Sequence, residues 1–111
     1  MKIYISGPIT GTKNYLERFA TAEERLESEG NEVINPAKVN SQLPTSTTYS
    51  QYMAMSYMML DMADAIYMLE GWEKSKGACI EYGYAMAKGK VIACQDNLIQ
   101  DTCQGRGCNE S

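Results

Sequence analysis

Gly71-Trp72-Glu73-Lys74-Ser75-Lys76-Gly77-Ala78-Cys79-Ile80-Glu81-Tyr82-Gly83-Tyr84-Ala85 runs from the end of a strand, through a polar loop, into a helix. The strand is the apolar run from Asp64 to Leu69, and the helix extends from Gly77 to Lys88. The same strand-to-helix order occurs upstream. Residues 2–6 read as a buried strand, Gly7-Pro8 and Gly11 punctuate a loop, and a helix follows from Asn14 to Glu29. Asn14 suits its N-cap, Phe19, Ala22 and Leu26 mark one face, and Gly30 suits the stop. Val33-Ile34 makes a short second strand that Pro36 ends. Ser41 to Thr48 is a loop, Tyr49 to Met62 a helix, and Val91 to Cys94 a fourth strand after Gly89. Strands alternating with helices predict an α/β fold, a four- to five-stranded parallel sheet with helices on both faces.

At 111 residues there is room for one domain and one crevice. The expected domain is residues 1–96, with 97–111 a flexible tail poor in apolar residues. A net charge of −4 without a basic run argues against a nucleic-acid polymer as partner. No apolar run approaches the roughly 20 residues of a membrane span, and the chain enters a strand directly, which predicts a cytoplasmic protein with no membrane partner. Cys79, Cys94, Cys103 and Cys108 do not suggest a disulfide framework, since two lie in the expected core and two in the tail and dense bridging belongs mainly to small secreted chains, and they do not suggest zinc, since the chain has no His and no C-x-x-C pair. Neither a metal nor another cofactor is expected. Without His, acid–base work falls to carboxylates, Tyr or water.

In a parallel sheet of this kind ligands bind beyond the carboxyl ends of the strands. That rule gathers Ser6 to Gly11, Asn35 to Asn40 and Glu70 to Gly77. A helix start presents unpaired N–H groups and the positive end of the macrodipole, which suits a phosphate and favours an ionised carboxylate. Glu81, in the first turn or so of its helix, is thereby a candidate nucleophile. It is equally an ordinary solvated residue, since Glu is favoured early in helices. Trp72 in the loop can stack on a base or serve as a hydrophobic plug or subunit contact. Lys74 and Lys76 flank Ser75, either to attract phosphate or simply as solvated loop residues. Asp64, at the opposite end of its strand, suits a cap or turn.

Tyr4-Ile5-Ser6-Gly7-Pro8-Ile9-Thr10-Gly11, Asn35-Pro36-Ala37, Asp64 to Leu69, Gly71 to Ala78 and Glu81 to Ala85 together resemble the nucleoside 2-deoxyribosyltransferase-like superfamily, and within it the small DUF4406 proteins. The resemblance covers roughly residues 2–94. It implies a Rossmann-like three-layer domain that breaks the N-glycosidic bond of a nucleoside or nucleoside 5′-monophosphate, by hydrolysis or deoxyribosyl transfer, through a covalent sugar–Glu intermediate. Glu81 matches the nucleophile and Tyr4 the strand-one Tyr beside it. Ser75 and Gly77 match the residues that hold the 5′-phosphate in the family's nucleotide hydrolases. Ser6, Gly7, Ile9 and Thr10 of the first loop join them as substrate-binding candidates. Ser56 stands where relatives often carry an Asp that orients sugar hydroxyls or catalytic groups, and Thr10 where some carry an Arg.

A carboxylate beside the anomeric carbon stabilises or captures the positive charge that develops there, which is independent support for Glu81. The competing reading is a nucleotide-binding module without turnover, which the exchange of Asp for Ser56 would explain. A third is an interaction protein built on its Met-rich helix. Helix 49–62 carries Tyr49, Tyr52, Met53, Met55, Tyr57, Met58 and Met59 around more than one face, and its Met density suits core or subunit-interface filling. A homodimer or higher homo-oligomer is expected, and the resemblance implies the same, since relatives complete their sites with neighbouring subunits.

Overall fold

In the computed structural model, which describes residues 1–95, Lys2–Ser6 forms β1 at the centre of a parallel sheet. Its odd residues Ile3 and Ile5 pack with Phe19, Ala22 and Leu26, while Tyr4 packs on the opposite face with Leu60, Ile66 and Ala78. This is the two-residue alternation of a strand covered on both sides. β3, Ala65–Met68, repeats it: Ala65 and Tyr67 join the first cluster, Ile66 and Met68 the second. β2, Glu32–Ile34, and β4, Val91–Cys94, flank them, giving the order β2-β1-β3-β4. The described sheet has four strands, the lower bound of the expected range.

Two helices cover the first face. α1, Tyr15–Ser28, buries the stripe Phe19, Ala22 and Leu26 at helical spacing. Asn14 stands at its N-cap but makes no side-chain capping bond, contrary to expectation. Gly30 ends it with φ +92°, the left-handed conformation that glycine adopts without Cβ strain. α2, Pro36–Asn40, is a helix where a loop was expected. Its signal lies in Asn35-Pro36: Asn35 Oδ1 accepts the Lys38 N–H at 3.2 Å, and Pro36 occupies a first-turn position where its missing N–H costs nothing.

On the second face, α3, Tyr49–Met62, starts with a capping box in which Thr48 and Gln51 exchange side-chain and backbone bonds. α4, Lys76–Ala87, follows a single 3₁₀ turn, Trp72–Lys74. The two helices are joined by a Tyr57–Tyr84 ring stack at 4.7 Å and by the Tyr84 hydroxyl donating to Asp61 at 2.7 Å. The structure is thus an α/β three-layer sandwich around a parallel sheet. Asp64 precedes β3 and its carboxylate accepts the Lys2 N–H at 2.9 Å, a turn role remote from the strands' carboxyl ends.

Among the described residues, no helix is long and apolar enough to cross a membrane. Cys79 is in no disulfide, while Cys103, Cys108 and the expected tail lie outside the described residues.

Candidate active site

The sheet reverses direction of growth between β1 and β3, and there the loops leaving the strands diverge and open a crevice. Gly7 lets β1 and β3 end close together: a Cβ on it would lie 2.8 Å from the Leu69 Cβ. A cavity of about 250 Å³ fills the crevice. Tyr4, Ser6, Gly7, Ile9, Thr10, Ser56, Ser75, Gly77 and Glu81 all line it, so nine of the ten expected site residues converge. Trp72 does not line it. Its indole is half-buried, stacks on Tyr82 at 4.6 Å and packs against the α3–α4 side of the core.

Glu81 is the sixth residue of α4, one turn deeper than expected, and it is only 8% exposed. This depth excludes the solvated-residue reading. Tyr4 Oη donates to Oε2 at 2.9 Å and Ser6 Oγ donates to Oε1 at 2.6 Å. The expectation that the helix terminus governs its charge needs correction. Burial raises the Glu81 pKa above the ordinary carboxylate value, and hydroxyl bonds from Ser6, Tyr4 and Ser56 pull it back part of the way. Tyr4 is fully buried, and burial together with the Glu81 charge pushes its phenol well above its ordinary value. Tyr4 therefore keeps its proton and acts as a donor. A desolvated carboxylate held by neutral donors is a strong partner for positive charge, because no water screens it.

At the other end, Ser75 caps α4, its Oγ accepting the Ala78 N–H at 3.2 Å. Gly77 faces Tyr49 and Met53 at ordinary contact distance: a Cβ there would sit 3.7 Å from the Tyr49 hydroxyl. Lys74 and Lys76 are exposed and outside the cavity lining.

The sequence reading missed several lining residues: Tyr15 and Phe19 of α1, and Tyr49, Tyr52 and Met53 of α3. The last three had a readable signal, since Tyr49, Tyr52, Met53 and Ser56 fall at i, i+3, i+4 and i+7 on one helical stripe. Asn40 lies in the segment that the strand-end rule gathers, and its Oδ1 is a buried acceptor without a partner among the described residues.

Comparison with solved structures gives two informative likenesses. The 2-deoxyribosyltransferase of the psychrotolerant bacterium Bacillus psychrosaccharolyticus aligns with TM-score 0.70 and 18% identity over 85% of this chain and 71% of that one. The CMP N-glycosidase BcmB of Clostridium botulinum aligns with TM-score 0.61 and 22% identity over 85% of this chain and 70% of that one. At such identities the likeness is one of fold. No curated protein matches the chain. A family model described as a domain of unknown function, DUF4406, matches residues 1–94, nearly the whole of the described structure, and the chain belongs to that family.

Proposed function

We propose that this protein cleaves the N-glycosidic bond of a nucleoside or nucleoside 5′-monophosphate, with Glu81 as nucleophile and Tyr4 beside it. The observation that carries this reading is a buried carboxylate that lines a cavity and is held on both oxygens by hydroxyl donors. A fold shared with a deoxyribosyltransferase and a CMP N-glycosidase adds support. In the first step one Glu81 oxygen bonds to the anomeric carbon while the carbon–nitrogen bond breaks, its electron pair leaving with the base. In the second, water or another base attacks the same carbon and frees the carboxylate. With water, the hydroxyl stays on the sugar and the proton ends on the released base.

The α4 start is the phosphate end of this reading. Ser75 Oγ already accepts a helix N–H, so its own hydroxyl hydrogen is available to donate, and the first turn of a helix offers backbone N–H groups without intrahelical partners. No cationic side chain lines the cavity among the described residues, so phosphate recognition rests on neutral donors and the helix dipole.

The test is a panel of nucleosides and 5′-monophosphates assayed for free base, followed by a 2′-fluoro analogue that slows breakdown of the intermediate. Base release, with the sugar's mass on the peptide containing Glu81, is the expected result. Ligand binding with no base released from any member would leave a nucleotide-binding module and end the catalytic reading.

A further inference from the structure

Glu81 is the one charged side chain buried among the described residues, and hydroxyl groups replace the water it has lost. Tyr4 and Ser6 lie two residues apart on the same face of β1, so their side chains leave the strand about 6–7 Å apart and reach different oxygens of one carboxylate. The final torsion of a Glu side chain is ordinarily broad. Donors on both oxygens restrict it, because rotating the carboxylate breaks both bonds.

Of the two, Ser6 makes the shorter bond, 2.6 Å, in the range of a hydroxyl bonded to an ionised carboxylate. It is 1% exposed, and the sheet holds its backbone: Ser6 pairs in register with Met68, and its carbonyl accepts the Leu69 N–H at 2.8 Å. The donor thus stands on a rigid strand and not on the loop that follows. The groups facing Glu81 are the Tyr4 phenol from β1 and the Ser56 hydroxyl from α3, with the phenols of Tyr15, Tyr49 and Tyr52 on the cavity walls. Glu81 is the only carboxylate lining the cavity among the described residues.

We propose that Ser6, which sequence position alone suggests as a substrate contact, is a positioning residue that holds and aims the Glu81 carboxylate. The proposal rests on the reading of Glu81 as the nucleophile. Each strand donor takes one oxygen, the Tyr4 phenol Oε2 and the Ser6 hydroxyl Oε1, and the shorter bond is that of Ser6.

The experiment is a carboxyl titration of the full chain by carbon NMR, with the glutamate carboxyl carbons labelled and Glu81→Gln used to assign the signal. It is run on the unsubstituted chain, Ser6→Ala, Ser6→Thr and Ser6→Cys. Loss of a charge-assisted donor inside an unchanged apolar site should move the Glu81 midpoint up by about one to two pH units in Ser6→Ala. Ser6→Cys, close in volume and a weak donor, should do the same and stands in if Ser6→Ala does not fold. Ser6→Thr, which keeps the hydroxyl, should return the midpoint toward that of the unsubstituted chain. On a nucleoside or monophosphate that the protein turns over, the acidic limb of kcat should move with the midpoint while KM stays within about twofold. An unmoved midpoint in Ser6→Ala or Ser6→Cys, or a raised KM at unchanged kcat, overturns the proposal. If no substrate releases base, the proposed function fails, and the titration still decides the role of Ser6.

Discussion

Glu81 carries opposite demands of stability and chemistry, and pH separates them. Its folded pKa is raised by burial, so the unfolded chain releases this proton first as pH rises. Between the ordinary carboxylate value and the folded one, each step up in pH therefore costs native stability, and above the folded pKa the loss is complete. Turnover should run the other way, falling as pH drops through the folded pKa, because the protonated acid is a poor nucleophile. Glu81→Gln should remove both dependences. Base release should fall by at least about a thousandfold with ligand binding largely kept, and the melting temperature at neutral pH should match or exceed that of the unsubstituted protein. Parallel pH-rate and calorimetric profiles check this, and undiminished base release would return the chain to the binding-module reading. Tyr4→Phe should cost less, about 10- to 100-fold in kcat, since the phenol donates one of the bonds that hold the carboxylate.

The start of α4 has two duties. Ser75 Oγ accepts the Ala78 N–H, so Ser75→Ala should cost about 1 kcal/mol of stability through the lost cap, read as a lower denaturant midpoint. In the proposed phosphate role it should also weaken monophosphate binding by about 1.5–3 kcal/mol while leaving the unphosphorylated nucleoside nearly unaffected. Calorimetric titration with a matched nucleoside and monophosphate distinguishes the duties: equal weakening of both ligands would leave Ser75 as a cap alone. α3 is similarly divided by face. Tyr52, Met53 and Ser56 turn toward the cavity, whereas Met58 and Met62 are 69% and 60% exposed.

Those exposed methionines bear on the whole molecule. Met58 and Met62 are one helical turn apart on α3, and Met86 of α4, 55% exposed, adds to the apolar surface of the same layer. A helix apolar on more than one face is normally covered. A homodimer or higher homo-oligomer burying this layer is the expected state in solution, and Met58→Glu with Met62→Glu should convert it to monomer. Sedimentation at micromolar concentration checks both statements, and a monomeric mass for the unsubstituted protein would refute them.

How much of this was written in the sequence depends on the range of the interactions involved. The strands of residues 2–6 and 91–94, the helices around 15–28 and 49–62, and the α/β class are encoded by period, turn residues and alternation, all of which act over a few residues. The short helix at Pro36 was not read from the sequence, because Pro36 reads first as a strand stop, although Asn35-Pro36 carries its cap and first-turn signal. The candidate nucleophile and its neighbours were visible through the family resemblance that the combined motifs carry, while the strand-end rule gathered the loops around them. The charge state of Glu81 was not legible. It depends on burial beneath β1 and on donors 75 and 77 residues away in sequence, a separation that no local pattern encodes. Trp72 shows the same limit: its sequence allows a base-stacking role, and only the structure shows the indole stacked on Tyr82 and outside the cavity lining. Local chemistry determined which elements form and which residues stand at their ends. Long-range packing decided which side chains lose their water, and with it the pKa, orientation and partner of each.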